Sequence, residues 1–203
     1  MVPVGWDELF DDLGAQLERG LEDEAELQRI EEERLRLSRL TVKDRIRALA
    51  EDPEARVGLV IELDGNHAQT IRPTAFGRDW IAGEFLSEMG RASEVIVPLA
   101  GISALTLTRG QLEASLATLE LSRAGELADR LGLAFVLRDL ARKRRTVQLW
   151  TALGSYNGTI DRVAKDHLDL AVHLASSPRR ERSVQGYRIV PFEQLRLIRV
   201  LPA

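Results

Sequence analysis

Alternation of apolar and polar residues is the clearest pattern in the second half of the chain. From His167 to Leu174 every second residue is apolar, which predicts a strand with a buried side and a wet side, the latter carrying His167, Asp169 and His173. Five such strands are predicted between Thr146 and Val200, namely TVQLWTA, SYNGTIDRVA, HLDLAVHLA, YRIVPF and QLRLIRV. A weaker version of the pattern predicts strands at residues 57–63, 67–74, 80–87, 94–97 and 102–108.

A different period, apolar residues four apart, predicts a long helix over residues 6–38. Leu9, Leu13, Leu17 and Leu21 form one stripe along it. Gly20 costs about 1 kcal/mol relative to alanine in a helix, so this is where a kink would fall. The stripe has two interpretations: the helix folds back onto its own domain, or it docks onto a partner or a second copy.

Shorter helices are predicted ahead of each set of strands. One covers residues 42–50 and ends before Pro53, since proline disfavours a helical residue ahead of it. Two more lie between the sets, over residues 112–119 and 127–142. The second of these ends in the run Arg142-Lys143-Arg144-Arg145.

The two sets of strands match in order and predict an internal repeat. Each has a leading helix ending in Leu-Ala, an aspartate before the third strand, and a Val-Pro step before the last strand. The matched positions are Leu49-Ala50 with Leu140-Ala141, Asp79 with Asp166, and Val97-Pro98 with Val190-Pro191. Five short, bent antiparallel strands favour closure into a small barrel, because closure removes exposed sheet edges.

The fold class predicted from this pattern is α+β: two tandem Sm-like or SH3-like five-stranded antiparallel barrels, each preceded by a helix, behind a long N-terminal helix. The corresponding domains are an acidic helix (1–40), a first barrel with its leading helix (41–108), a helical linker (109–127), and a second barrel with its leading helix (128–203).

The second set resembles the Hfq-like branch of the Sm-like proteins. The resemblance rests on Val147-Gln148-Leu149-Trp150, Gly158-Thr159-Ile160-Asp161, Asp166-His167-Leu168 and the closing strand 195–200. It implies a barrel fold and RNA binding. The Lys-His pair of that family's uridine pocket is absent, and Tyr187-Arg188 stands before Val190-Pro191 instead. The whole arrangement from Trp6-Asp7-Glu8-Leu9-Phe10 onward also resembles a family of uncharacterised actinobacterial proteins.

Charge is distributed unevenly along the chain. Residues 1–40 carry a net charge of −7 and residues 138–199 carry +7, within an overall −4. The absence of cysteine excludes disulfides and cysteine chemistry and is typical of a reducing cytoplasm. The N-terminal residues lack the basic and apolar regions of a signal peptide, and no run is long enough to span a bilayer. A cytoplasmic protein without membrane contact is expected.

Basic and aromatic residues of the second half form the candidate nucleic-acid site. Arginine and lysine side chains neutralise phosphates, and tyrosine and tryptophan rings stack on unpaired bases. The candidates are Arg142, Lys143, Arg144, Arg145, Trp150, Tyr156, Arg179, Arg180, Arg182, Tyr187 and Arg188. The alternative is an interaction or scaffolding protein that dimerises or docks through residues 6–38.

Catalysis finds little support in the sequence. Ser155 is not placed at the centre of a nucleophile elbow, and no glycine-rich phosphate loop opens a helix. His167 and His173 would lie too far apart on one strand to share a metal ion. The sequence therefore predicts a non-enzymatic binding module with no cofactor and no metal.

Overall fold

The computed structural model describes residues 6–52, 58–63, 67–86, 93–117, 127–174 and 183–202. The chain separates into two compact units at the step from Thr41 to Val42. The first unit is described as a helical segment, and the second contains all the strands among the described residues.

Helix α1 of the first unit spans Trp6–Arg39, which confirms the helix predicted over residues 6–38. The helix continues without a break through Gly20. Several salt bridges between Glu and Arg residues three positions apart lie along it. The shortest joins Glu33 and Arg36, with a nitrogen–oxygen distance of 2.6 Å. These pairs are exposed, so solvent screening leaves each with little effect on stability.

The second unit begins with helix α2 and five strands. Ile46 and Leu49 form the buried face of α2 and pack into the first core described below. A one-turn 3-10 helix at Leu99–Gly101 separates the last two strands. The bounds are α2 Val42–Glu51, β1 Leu59–Leu63, β2 His67–Phe76, β3 Trp80–Phe85, β4 Ser93–Pro98 and β5 Ile102–Thr106.

Two helices and five further strands follow. Helix α4 buries Leu133, Leu137 and Leu140, and a second one-turn 3-10 helix lies at Phe192–Gln194. The bounds are α3 Arg109–Ala114, α4 Leu133–Arg142, β6 Thr146–Thr151, β7 Gly154–Val163, β8 His167–Val172, β9 Gly186–Pro191 and β10 Leu195–Val200. All ten predicted strands are confirmed, with boundaries shifted by a few residues.

The ten strands form one open antiparallel sheet, in the order β5-β1-β2-β3-β4-β10-β6-β7-β8-β9. The prediction of two tandem closed Sm-like or SH3-like barrels is therefore wrong. Closure was expected because it removes sheet edges, but β4 and β10 cover their edges by pairing with each other. The two remaining edges, β5 and β9, each have one neighbour among the described strands.

The junction between β4 and β10 joins the two halves of the sheet. Ile198 lies opposite Ile96, and Arg199 lies opposite Val95. The first core gathers α2 and β1–β4 and also takes in Leu197 of β10. The second core gathers α4 and β6–β10 and also takes in Trp80 and Ile96. Each half thus buries residues of the other.

The predicted internal repeat is confirmed by the order of strands, since β5-β1-β2-β3-β4 and β10-β6-β7-β8-β9 follow the same plan. Single hydrogen bonds repeat as well. The amide of Leu99 donates to the carbonyl of Asp79 at 3.0 Å, and the amide of Phe192 donates to the carbonyl of Asp166 at 2.8 Å. These bonds fix the same turn at the start of each 3-10 helix.

Glycine is required at position 158 of β7 because β8 approaches closely there. Gly158 is buried, and a Cβ at this position would lie 2.3 Å from the carbonyl oxygen of Ala171 on β8. The register shifts immediately beyond, between Ile160 and Arg162. The close approach and the bulge together bend the strand pair around the second core.

The helix predicted over residues 127–142 is confirmed from Leu133 onward and wrong at residues 129–132, which separate the helical residues Leu127 and Ala128 from α4. The carbonyl of Leu131 instead accepts hydrogen bonds from the amide of Arg78 and the indole of Trp80, both at 2.9 Å. Gly132 is extended, and Asp79 accepts from the amide of Leu133 at 2.7 Å. The turn between β2 and β3 therefore holds the start of α4.

Asp129 fastens the same segment to α2. Its Oδ1 accepts from Lys43 Nζ at 3.0 Å and from an Arg47 guanidinium nitrogen at 2.7 Å. Arg47 is buried, and its guanidinium also lies 4.8 Å from the centre of the Phe76 ring. The two leading helices are thus linked through one carboxylate.

Candidate nucleic-acid interface

The basic run at the end of α4 is partly occupied by a neighbouring carboxylate. Arg142 and Lys143 each place a nitrogen 2.6 Å from an oxygen of Asp139. The hydrogen bonds from Lys143 and then Arg142 hold the pKa of the Asp139 carboxyl below its usual range. Both cations remain largely exposed, so they can still meet a phosphate.

The other two residues of the run differ from each other. Arg144 is exposed and adopts a φ of 49°, which carries the chain from α4 into β6. Arg145 turns inward, where it donates to the carbonyl of Leu201 at 3.4 Å. No described group accepts from its buried Nε. Arg145 is therefore a structural residue rather than a surface cation.

The three predicted stacking rings do not form one surface. Trp150 packs partly buried against the first core, which fixes it at the junction of the two halves. Tyr156 is half-buried against the second core, whereas Tyr187 is two-thirds exposed on β9. Of the three rings, Tyr187 is therefore the most accessible to a ligand.

Among the candidates that the structure describes, Tyr156 and Arg188 form the one aromatic–cation contact. The Arg188 guanidinium lies 4.3 Å from the centre of the Tyr156 ring, and Arg188 itself is exposed on the edge strand β9. Adjacent residues of a strand point to opposite faces, so Tyr187 lies on the other side of the sheet. Arg179, Arg180 and Arg182 lie outside the described residues.

The prediction that His173 lies on the solvent-facing side of β8 is wrong. His173 is buried, with Nε2 2.9 Å from the hydroxyl of Thr159 and Nδ1 3.0 Å from the carbonyl of Leu174. The strand ends at Val172, and the alternation ends with it. Within the described part of the chain, no three metal-ligating side chains come together as a metal site requires.

At the other end of β8, His167 and Asp166 contact each other. Nδ1 of His167 lies 2.7 Å from Oδ1 of Asp166. This hydrogen bond is the main reason that the pKa of the Asp166 carboxyl lies below its usual range. Both side chains are solvent-accessible, and they line a shallow cleft with Ile189 of β9.

An apolar groove beside β5 is a feature that the sequence pattern did not indicate. It has a volume of about 470 Å³ and is open to solvent along β5, α2 and α3. Its apolar lining comes from Val42, Leu99, Ile102, Leu105, Leu107 and Leu112. The apolar spacing of β5 was visible in the sequence, but the missing neighbour that leaves the groove open was not.

No helix of the described residues combines the length and apolar composition that crossing a bilayer requires. Comparison with known proteins found no matching family model, no matching curated protein and no matching solved structure.

Proposed function

We propose that this chain is a non-enzymatic nucleic-acid-binding protein that takes up single-stranded RNA on its second half. The proposal rests on the contact between Arg188 and Tyr156. The Arg188 guanidinium lies 4.3 Å from the centre of the Tyr156 ring, and Arg188 is exposed on the edge strand β9. Planar cationic and aromatic groups of this kind stack on unpaired bases. A duplex offers its bases already stacked on one another, so a single strand is the fitting ligand.

Charge supports the same proposal. Residues 138–199 carry 13 basic and 6 acidic side chains, and the exposed cations Arg142, Lys143 and Arg144 stand at the end of α4. Because Arg142 and Lys143 share Asp139, they are held in place before a ligand arrives. Cations fixed in this way attract the phosphate backbone without reading its sequence. A cytoplasmic setting, expected from the cysteine-free sequence, belongs to the same proposal.

The test is the affinity of the purified protein for a fluorescein-labelled single-stranded RNA of mixed sequence, measured by anisotropy over a salt titration. Loss of one stacking platform costs about 1–3 kcal/mol per base, so Arg188→Ala and Tyr156→Leu should each weaken binding roughly 5- to 150-fold. Leucine at position 156 keeps apolar packing against the second core and removes the ring.

The matched control is Arg72→Ala. Arg72 is likewise an arginine on a strand surface, paired with Glu84 at 3.2 Å, but it lies in the first half. Its loss should change affinity less than about twofold, because it lies outside the proposed contact surface. Binding that is absent at low salt, or equally weakened by Arg72→Ala and Arg188→Ala, would end the proposal.

A second candidate function is favoured by the side chains of α1. Leu13, Leu17, Leu21 and Leu27 are each more than half exposed along this helix. A helix with an open apolar stripe stabilises itself by packing against another helix. The chain would then be an interaction or scaffolding protein that pairs through α1.

The double variant Leu17→Gln and Leu21→Gln tests this second candidate, since glutamine keeps helix propensity and removes the apolar contact. A fall in mass by light scattering, or loss of a copurifying protein, is expected. Gln16→Ala is the control on the same helix. An unchanged mass together with no copurifying partner would exclude pairing through α1.

A further inference from the structure

The junction between β4 and β10 shows which two strands can join two halves of this sheet. It pairs the fourth strand of the first set with the fifth strand of the second set. The strands left at the two ends of the sheet are β5, the fifth strand of the first set, and β9, the fourth strand of the second. The two open edges are therefore the same two kinds of edge that join inside the chain.

Two matched pairs of the repeat differ strongly in exposure, and in each pair the internal junction covers one residue and not the other. The Val-Pro step aligns Ile96 of β4 with Ile189 of β9; Ile96 is 2% exposed, and Ile189 is 71% exposed. The helix starts align Leu133 with Val42, which are 4% and 52% exposed. Ile189 and Val42 are apolar in spite of this exposure, as residues of a contact surface are.

The apolar groove beside β5 is lined by residues whose matched positions are covered at the internal junction. Inside the chain, Ile96 enters the second core beside Leu133 and Ile198. The matched positions in the first half are Val42 and Leu105, and both line the groove. The position that Ile96 takes at the internal junction is thus open at the β5 edge.

We propose that β9 of one copy pairs antiparallel with β5 of a second copy, in the register of the β4–β10 junction. At the internal junction, Ile198 lies opposite Ile96 and Arg199 lies opposite Val95. By the matched positions of the repeat, Leu105 of one copy should lie opposite Ile189 of the other, and Thr106 opposite Arg188. A second copy is the fitting occupant because the chain itself supplies both edges of this pairing, and it competes for β9 with the single-stranded RNA proposed to stack on Arg188. The contact is head to tail, so it continues from copy to copy into a ring or an open chain.

The first test is the mass of the full chain after nuclease treatment in high salt, measured by light scattering across a dilution series. Wild-type protein should exceed the 22.7 kDa of one chain. Ile189→Lys should block the β9 edge. Ala104→Lys should block the β5 edge, because Ala104 matches Leu197, which is buried at the internal junction. Both positions are exposed in a single chain, so each variant should fold and each should lower the mass.

Mixing the two blocked variants gives the decisive result. The Ala104→Lys chain still offers β9, and the Ile189→Lys chain still offers β5, so one junction should form and yield a 1:1 dimer. Leu153→Lys, at an exposed turn between β6 and β7, is the control and should keep the wild-type mass. A monomeric wild type, an unchanged mass in either edge variant, or a mixture that stays monomeric would overturn the proposal.

Cysteine cross-linking checks the register independently, because the chain has no cysteine of its own. Chains carrying Arg188→Cys should form a disulfide with chains carrying Thr106→Cys under mild oxidation. Chains carrying Ala104→Cys, two residues away on β5, should cross-link to Arg188→Cys at least several-fold less. Equal cross-linking to both positions would contradict the register.

Discussion

Asp129 shows how much one side chain contributes to joining distant parts of the chain. It lies ahead of α4, yet both of its partners, Lys43 and Arg47, lie on α2. Partial burial acts to raise the pKa of the Asp129 carboxyl, but the hydrogen bonds from Arg47 and Lys43 outweigh it and hold that pKa below its usual range. The charged form of Asp129 is therefore favoured by folding.

Asp129→Asn should lower the free energy of unfolding by about 2 kcal/mol near neutral pH, because a hydrogen-bonded charge pair loses its anion. A depressed pKa in the folded state stabilises above the unfolded pKa and is lost as pH falls through the folded value. The difference between wild type and variant should thus shrink below about pH 4 in urea unfolding curves.

Glu113→Gln is the matched control for this prediction. Glu113 forms an exposed pair with Arg109 at 3.3 Å on α3, so its loss should cost less than about 0.5 kcal/mol. A difference for Asp129→Asn that grows toward acid pH would contradict the assigned role.

At the scale of elements, the sequence predicts strands well and their partners poorly. Alternation is local, and it located all ten strands. The choice of partner for a strand is not local. The partner of β4 is β10, and Ile96 and Ile198, which lie opposite each other there, are far apart in the sequence. The predicted barrels failed at this non-local step.

The same distinction explains the candidate site. Charge and ring chemistry are visible in the sequence, so Arg142, Lys143, Arg144, Tyr156 and Arg188 could be named as candidates, but the contact between Tyr156 and Arg188 could not. Burial is not visible in the same way. Trp150 fills space between the halves, and Arg145 turns toward Leu201, because tertiary packing decides which side of a short strand or turn faces water.

Gly158→Ala tests the bend in β7. A Cβ placed 2.3 Å from the Ala171 carbonyl would push β7 and β8 apart and cost about 1–3 kcal/mol in denaturant unfolding. Gly110→Ala in α3 is the control, since a Cβ there meets open space. The control should be neutral or stabilising by up to about 1 kcal/mol. Equal effects at both glycines would show that β7 and β8 are not in close contact.

At the scale of the whole molecule, the two halves of the sheet share their interiors. Leu197 of the last strand is buried in the first core, and Trp80 and Ile96 of the first half are buried in the second. Neither half therefore completes its own core alone, and the sheet should unfold in a single cooperative step.

Leu197→Ala should lower the free energy of unfolding by about 2–5 kcal/mol, as expected for a buried leucine. Because the cores are shared, hydrogen exchange should accelerate in β1–β3 as well as in β6–β8. Leu153→Ala, at an exposed turn, should leave exchange unchanged. Faster exchange confined to one half would show that the halves are independent.

The central position of β10 also has a consequence for biosynthesis. This strand is translated after the other nine, yet it lies sixth in the sheet. While the nascent chain emerges from the ribosome, β4 carries Val95, Ile96 and Val97 along an edge whose neighbour does not yet exist. We expect chaperones to shield that edge during synthesis, and translation stalled before β10 to release a fragment prone to aggregation.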